Sequence, residues 1–136
     1  MFHDIFGHVP LLANKKYAAF MQKFGELGAR FTDNASIVKQ LQRLYWFTIE
    51  FGLMKTGEGR KVYGAGIASS YGETNHALGE NVTVKPFNIW EIVDTDFCSS
   101  EIQTLYFEID SFHQLFESIE LLKKKLESEV VLSERR

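Results

Sequence analysis

The chain has 136 residues, is 45% hydrophobic and 14% aromatic, and contains only two prolines. This length fits one domain that buries about two thirds of its unfolded surface, and the composition excludes a disordered polymer. With 18 acidic and 15 basic residues the formal net charge is -3, and without a basic stripe there is no electrostatic case for nucleic acid or an anionic membrane surface.

The first stretch, FHDIFGHVP, sets His3 and His8 five positions apart, with Gly7 between them and Pro10 behind. On a continuous helix that spacing turns the two rings roughly 140° apart. They converge only if the backbone leaves the helix near Gly7, which gives a bent HxxxxH with metal-ligand geometry. Next, NKKYAAFMQKFGELG places Tyr17, Phe20, Met21, Phe24 and Leu27 at three- and four-residue steps, with Asn14 as the cap. It predicts an amphipathic helix ending near Gly28. FTDNAS reads as a turn. A second helix is predicted from Ser36 through IVKQLQRLYWFTIEFGLM, stopping before KTGEGR.

In the second half of that helix, LYWFTIEFGLM, Glu50 is the only ionisable acid or base, so the segment should be buried. An isolated ionised carboxylate is costly to bury, so Glu50 should be paired with a distant cation, protonated, or bound to a metal. Farther on, KVYGAGIASSYGE offers short apolar pieces between Gly64, Gly66 and Gly72, predicting strands and turns close to other backbone. It lacks a phosphate-binding fingerprint. GETNHALGEN reads as a short helix, and VTVKPFNIWEI as short extended pieces around a turn at Pro86.

LYFEIDSFHQLFESIELLKKKLESE passes from a strand into a final helix capped by Asp110 or Ser111, with Ser111 and Gln114 fitting a capping box. Its apolar stripe is Phe112, Leu115, Phe116, Ile119, Leu122 and Leu126. Lys123, Lys124 and Lys125 form a solvated face, and the residues after Glu129 are expected to fray. His76 and His113 read as ordinary polar side chains. Cys98 is the sole cysteine, so no intrachain disulfide forms; with no spanning-length apolar run and no signal-like start, the expectation is cytoplasmic. The fold class expected is mainly α with a few short β-strands.

Two imidazoles and one carboxylate around an open coordination sphere suit redox-active iron, and the same donors also bind zinc. His3, His8 and Glu50 supply that set if the buried helix passes beside the first turn. Spacing alone does not choose the ion.

The blocks FHDIFGHVPLL, LYWFTIEFGL and YGAGIASSYGE, in this order, closely resemble the C-terminal half of the catalytic domain of the biopterin-dependent aromatic amino acid hydroxylases. The bacterial phenylalanine hydroxylase branch is nearest, and the resemblance runs on through LYFEIDSFHQLFESIELL. It implies non-haem Fe(II) held by His3, His8 and Glu50, and a tetrahydropterin that acts with molecular oxygen to hydroxylate an aromatic amino acid, phenylalanine by preference. Residue by residue, it implies that Tyr45 stands near the iron. Trp46 and Phe51 become aromatic walls of the substrate cavity, and Gly66 and Ser69 lie beside the amino acid. Ser69 is also suited to orient the His3 ring. Glu73 becomes a carboxylate at the back of the site, and Asp4 a residue on the pterin side.

In that family the block at Phe2 is preceded by a loop, a carboxylate-binding arginine and pterin-binding backbone. The expectation is therefore that residues 1–136 form the C-terminal portion of one catalytic domain whose upstream half is missing. Productive turnover by this chain alone is then not expected, and surface normally covered by that half becomes open to self-association. The rival reading is a non-catalytic iron-binding or protein-interaction fragment.

Overall fold

The computed structural model describes residues 14–68 and 71–134. Helix α1 spans Lys15–Arg30, two residues past the predicted end. Its start is fixed as expected: the Asn14 side-chain oxygen accepts from the amides of Lys16 and Tyr17, both at 3.0 Å. These bonds satisfy two of the N–H groups that a helix start leaves without partners. Asn14→Ala is expected to lower the unfolding free energy by about 1 kcal/mol, read as a shift in the urea midpoint.

Helix α2 spans Ala35–Tyr45, and its cap is Asn34, whose side chain accepts from Ile37 N at 3.1 Å. The α-helix does not continue to Met54 as predicted. It widens into a π-helical turn, Trp46–Glu50, and the chain then enters strand β1, Leu53–Thr56. The predicted stop at KTGEGR is a hairpin: β1 pairs antiparallel with β2, Gly59–Val62, with Leu53 opposite Val62 and Thr56 opposite Gly59. Gly59 takes a φ of +107°, a conformation that side-chain-bearing residues avoid. Thr56 Oγ1 donates to Gly59 O at 2.7 Å and accepts from Glu58 N at 3.2 Å, closing the turn.

Where strands are predicted after Tyr63, a short helix forms instead, α3 at Ala65–Ala68, followed by α4, Tyr71–Ala77. Strand β3, Thr83–Pro86, the short helix α5, Ile89–Ile92, and strand β4, Leu105–Ile109, follow. The four strands form one sheet in the order β2-β1-β4-β3, with β4 parallel to both β1 and β3. Helix α6 runs from Phe112 to Glu134, so the helix continues past the point where fraying is predicted. Its capping box is shifted: Gln114 N donates to Ser111 Oγ at 3.3 Å, but the Gln114 side chain accepts from Asp110 N at 2.8 Å.

The core lies where α1 and α6 pack together over the sheet. Tyr17, Phe20 and Leu27 of α1 meet Leu115, Ile119, Leu122 and Leu126 of α6, all buried. Each such leucine or isoleucine stabilises the fold by roughly 1.5–3 kcal/mol, so this seam fixes the platform on which α2 and the π-turn sit. Among the described residues, no helix is long and apolar enough to cross a membrane.

Candidate metal centre

The π-turn explains the placement of Glu50. Phe51 N donates to Trp46 O at 2.9 Å, five residues back, while Gly52 N returns to Thr48 O at 3.0 Å. Thr48, fully buried, turns its hydroxyl onto Leu44 O at 2.6 Å. In an α-helix, positions five apart diverge by roughly 140°, whereas an i→i+5 bonded turn brings them onto one face. The Tyr45 hydroxyl accordingly donates to Glu50 Oε1 at 3.0 Å. Glu50 is half-buried rather than enclosed.

Glycines bring the following segment against this turn. Tyr63 N and Gly64 N both donate to Gly52 O, at 3.1 and 3.0 Å. A Cβ on Gly64 would lie 2.4 Å from Gly52 N and 2.5 Å from Glu50 O, so only glycine fits. At Gly66 a Cβ would stand 3.0 Å from Glu50 O, 3.1 Å from Glu50 Oε2 and 3.1 Å from the Phe51 ring. Gly66 therefore adds no side chain of its own beside the carboxylate.

The aromatic walls are stacked on one another. Trp46 lies 4.4 Å from Phe51, tilted by 38°, and 4.5 Å from Phe97 at an interplanar angle of 10°. Its indole N–H donates to Gln103 Oε1 at 3.0 Å. An apolar cleft of about 610 Å³, lined by Phe24, Leu41, Tyr45, Trp46 and Phe97 among others, opens beside these rings. It shares Trp46 with the expected substrate cavity and Tyr45 with the expected iron surroundings, but neither Phe51 nor Gly66, so it adjoins the carboxylate rather than holding it.

Burial raises the phenols of three tyrosines around this region. Burial pushes the Tyr17 phenol well above its ordinary range, and the nearby Tyr45 and Glu50 push it further in the same direction. Burial also raises Tyr63, with Tyr17 adding to the shift. On the far side, burial and then Glu73 push Tyr106 up to about 12. Glu73, in the first turn of α4, is half-buried beside Gly72, His76 and Ile102.

The structure thus brings Tyr45, Trp46, Glu50, Phe51 and Gly66 together, and carries Glu73 on α4. His3, Asp4, His8 and Ser69 lie outside the described residues. Among the described residues, no group of three histidine, cysteine, aspartate or glutamate side chains is gathered as a metal cage. Glu50 nevertheless fits a carboxylate ligand for a divalent ion, with one oxygen held by a phenol and a glycine beside the other. Phe97 and Gln103 escape sequence reasoning, because FCSSEIQT has no periodicity that marks either one.

The model of the family described as biopterin-dependent aromatic amino acid hydroxylase matches residues 1–133. A phenylalanine-4-hydroxylase of Ralstonia nicotianae is 44% identical over 118 residues, covering 86% of this chain and 37% of that protein. The Homo sapiens phenylalanine-4-hydroxylase is 35% identical over 117 residues, covering 86% of this chain and 25% of its own length. The crystal structure of Chromobacterium violaceum phenylalanine hydroxylase, with bound iron(III) and 7,8-dihydrobiopterin, superposes with a TM-score of 0.82 at 40% identity. That alignment covers 87% of this chain and 43% of the other. The chain thus spans less than half the length of the relatives it matches. With the matched profile running along nearly all of its length, the chain belongs to the biopterin-dependent aromatic amino acid hydroxylase family.

Proposed function

We propose that this chain is the iron-bearing portion of a tetrahydropterin-dependent monooxygenase that converts phenylalanine to tyrosine. The observation that carries the reading is the Tyr45–Glu50–Gly66 arrangement, a half-buried carboxylate oriented by a phenol, with a glycine rather than a side chain packed beside it. His3 and His8 would complete the ligand set with Glu50. When bound there, the iron supplies oxygen activation in concert with a pterin, as the cofactors named for the Chromobacterium violaceum structure suggest.

The remaining tasks fall to side chains of this chain. Tyr45 holds Glu50 in one orientation, which lowers the entropy lost on ligation. Trp46 and Phe51 offer apolar faces to an aromatic ring and keep water from the carboxylate. Gly66 leaves room beside Glu50 for the amino acid, and Ser69 would stand beside that substrate. Glu73 supplies a carboxylate behind these walls, and Asp4 would serve the pterin side.

Anaerobic iron(II) titration tests the ligand set. Near-stoichiometric binding by the chain and its loss in the H3A/H8A double variant are the expected results; equal binding by both would sink the assignment. Tyrosine formation is expected to be slight for the chain alone, since the relatives' activity belongs to proteins more than twice as long. It should rise when the chain is fused behind the upstream part of the Chromobacterium violaceum relative.

A further inference from the structure

We infer that Gln103 is the positioning residue of the aromatic wall beside Glu50, an inference that rests on the proposed reading of Trp46 as part of the substrate cavity. Gln103 is half-buried near the end of the connection 93–104, and both polar atoms of its side chain are hydrogen-bonded. Its Oε1 accepts from the Trp46 indole at 3.0 Å. Its Nε2 donates to Cys98 O and Glu101 O, both at 3.0 Å. Its backbone carbonyl lies 2.7 Å from His76 Nε2 and accepts from the Tyr106 hydroxyl at 3.5 Å.

This network has one workable orientation. The indole nitrogen is only a donor, so rotating the amide would set NH₂ against N–H and leave both loop carbonyls without donors. The stacks on Phe51 and Phe97 define the plane of the Trp46 ring but tolerate sliding within it. A hydrogen bond to the indole is directional and removes that freedom. The loop that Gln103 ties also carries Phe97, the second plate of the stack. Arg43 fixes its other end by donating to Val93 O at 2.8 Å and by pairing with Asp96.

The same residue reaches the other side of the site. His76 stands three residues after Glu73 on α4, so the bond to the Gln103 carbonyl sets the seat of the helix that bears this carboxylate. One side chain and its own carbonyl thereby fix Trp46, Phe97 and Glu73 relative to each other.

The chain's two tryptophans make a direct test available, since Trp90 is 40% exposed and serves as an internal control. Indole N–H exchange is followed by NMR in the parent, Gln103→Leu and Gln103→Glu, together with iron(II) and phenylalanine titrations of the same three sequences fused behind the upstream part of the Chromobacterium violaceum relative. In Gln103→Leu the Trp46 proton should exchange about tenfold faster while Trp90 is unchanged. Phenylalanine affinity should fall about tenfold with iron(II) affinity held within about twofold. Gln103→Glu keeps an acceptor for the indole, so it should retain Trp46 protection and lose only part of the phenylalanine affinity.

Unchanged Trp46 exchange in Gln103→Leu overturns the inference, as do equal losses of iron and phenylalanine affinity, which would mark general damage. A parent fused behind the upstream part of the Chromobacterium violaceum relative that takes iron(II) but gives no response to phenylalanine overturns the cavity reading and this inference together. A parent that takes no iron(II) overturns the proposed function at its root.

Discussion

Gly64→Ala is expected to lower the unfolding free energy by about 3 kcal/mol or more, a large share of a single domain's stability. The added Cβ would lie 2.4 Å from Gly52 N, 2.5 Å from Glu50 O and 2.7 Å from Glu50 C. All three neighbours are main-chain atoms, so no side chain can swing aside to relieve the overlap. Relief requires the π-turn and the segment after β2 to separate, which breaks the Gly64 N to Gly52 O bond and shifts Glu50. Urea unfolding reads the loss directly. Gly25 provides the opposite case: exposed in α1 with nothing within 4 Å of an added Cβ, it should gain about 0.5–1 kcal/mol as alanine. Equal midpoints for Gly64→Ala and the parent would mean that the two segments do not touch as described.

The contrast between these glycines marks the limit of what the sequence discloses. Asn14, the α1 stripe and the α6 stripe are legible because capping and a helical repeat are local properties of consecutive residues. Gly25 and Gly64 look alike as letters, and only the tertiary neighbours separate them. The same reason hides the π-turn. LYWFTIEFGLM is apolar on every side, so a change from i→i+4 to i→i+5 bonding leaves no mark in its hydrophobic pattern. The predicted helix consequently runs on into what is β1. The TGEG hairpin reads as a simple stop, because four strand residues on either side are too few to display alternation.

For the proposed site, the sequence offers the donor types in His3, His8 and Glu50, and the family resemblance implies a metal for them. The orienting contact is not, since Tyr45 and Glu50 sit at a spacing that an α-helix would turn apart. Gln103 is farther out of reach. Its role depends on Trp46, 57 residues earlier in the chain, and on His76, 27 residues earlier. Neither separation belongs to any local repeat.

Substitutions at Glu50 and Tyr45 should separate the ligand from its support. Glu50→Ala removes a proposed metal donor and is expected to weaken iron(II) binding by more than the roughly 10–100-fold typical of losing a supporting contact. Tyr45→Phe removes only the hydroxyl that donates to Glu50 Oε1 at 3.0 Å, and keeps the ring packed 5.7 Å from Phe24. Its loss should fall within that roughly 10–100-fold range, with the fold unchanged. Glu50→Gln is the informative intermediate. It preserves shape and an acceptor for the Tyr45 hydroxyl but carries no charge, so its iron affinity should lie near that of Glu50→Ala if the carboxylate is a ligand. Were Glu50 instead a structural acceptor for Tyr45, Glu50→Gln would bind iron like the parent, and Tyr45→Phe would lower the thermal midpoint without touching the metal. Anaerobic titration of the three variants beside their melting curves therefore distinguishes a coordinating carboxylate from a packed one, whatever the turnover of the chain.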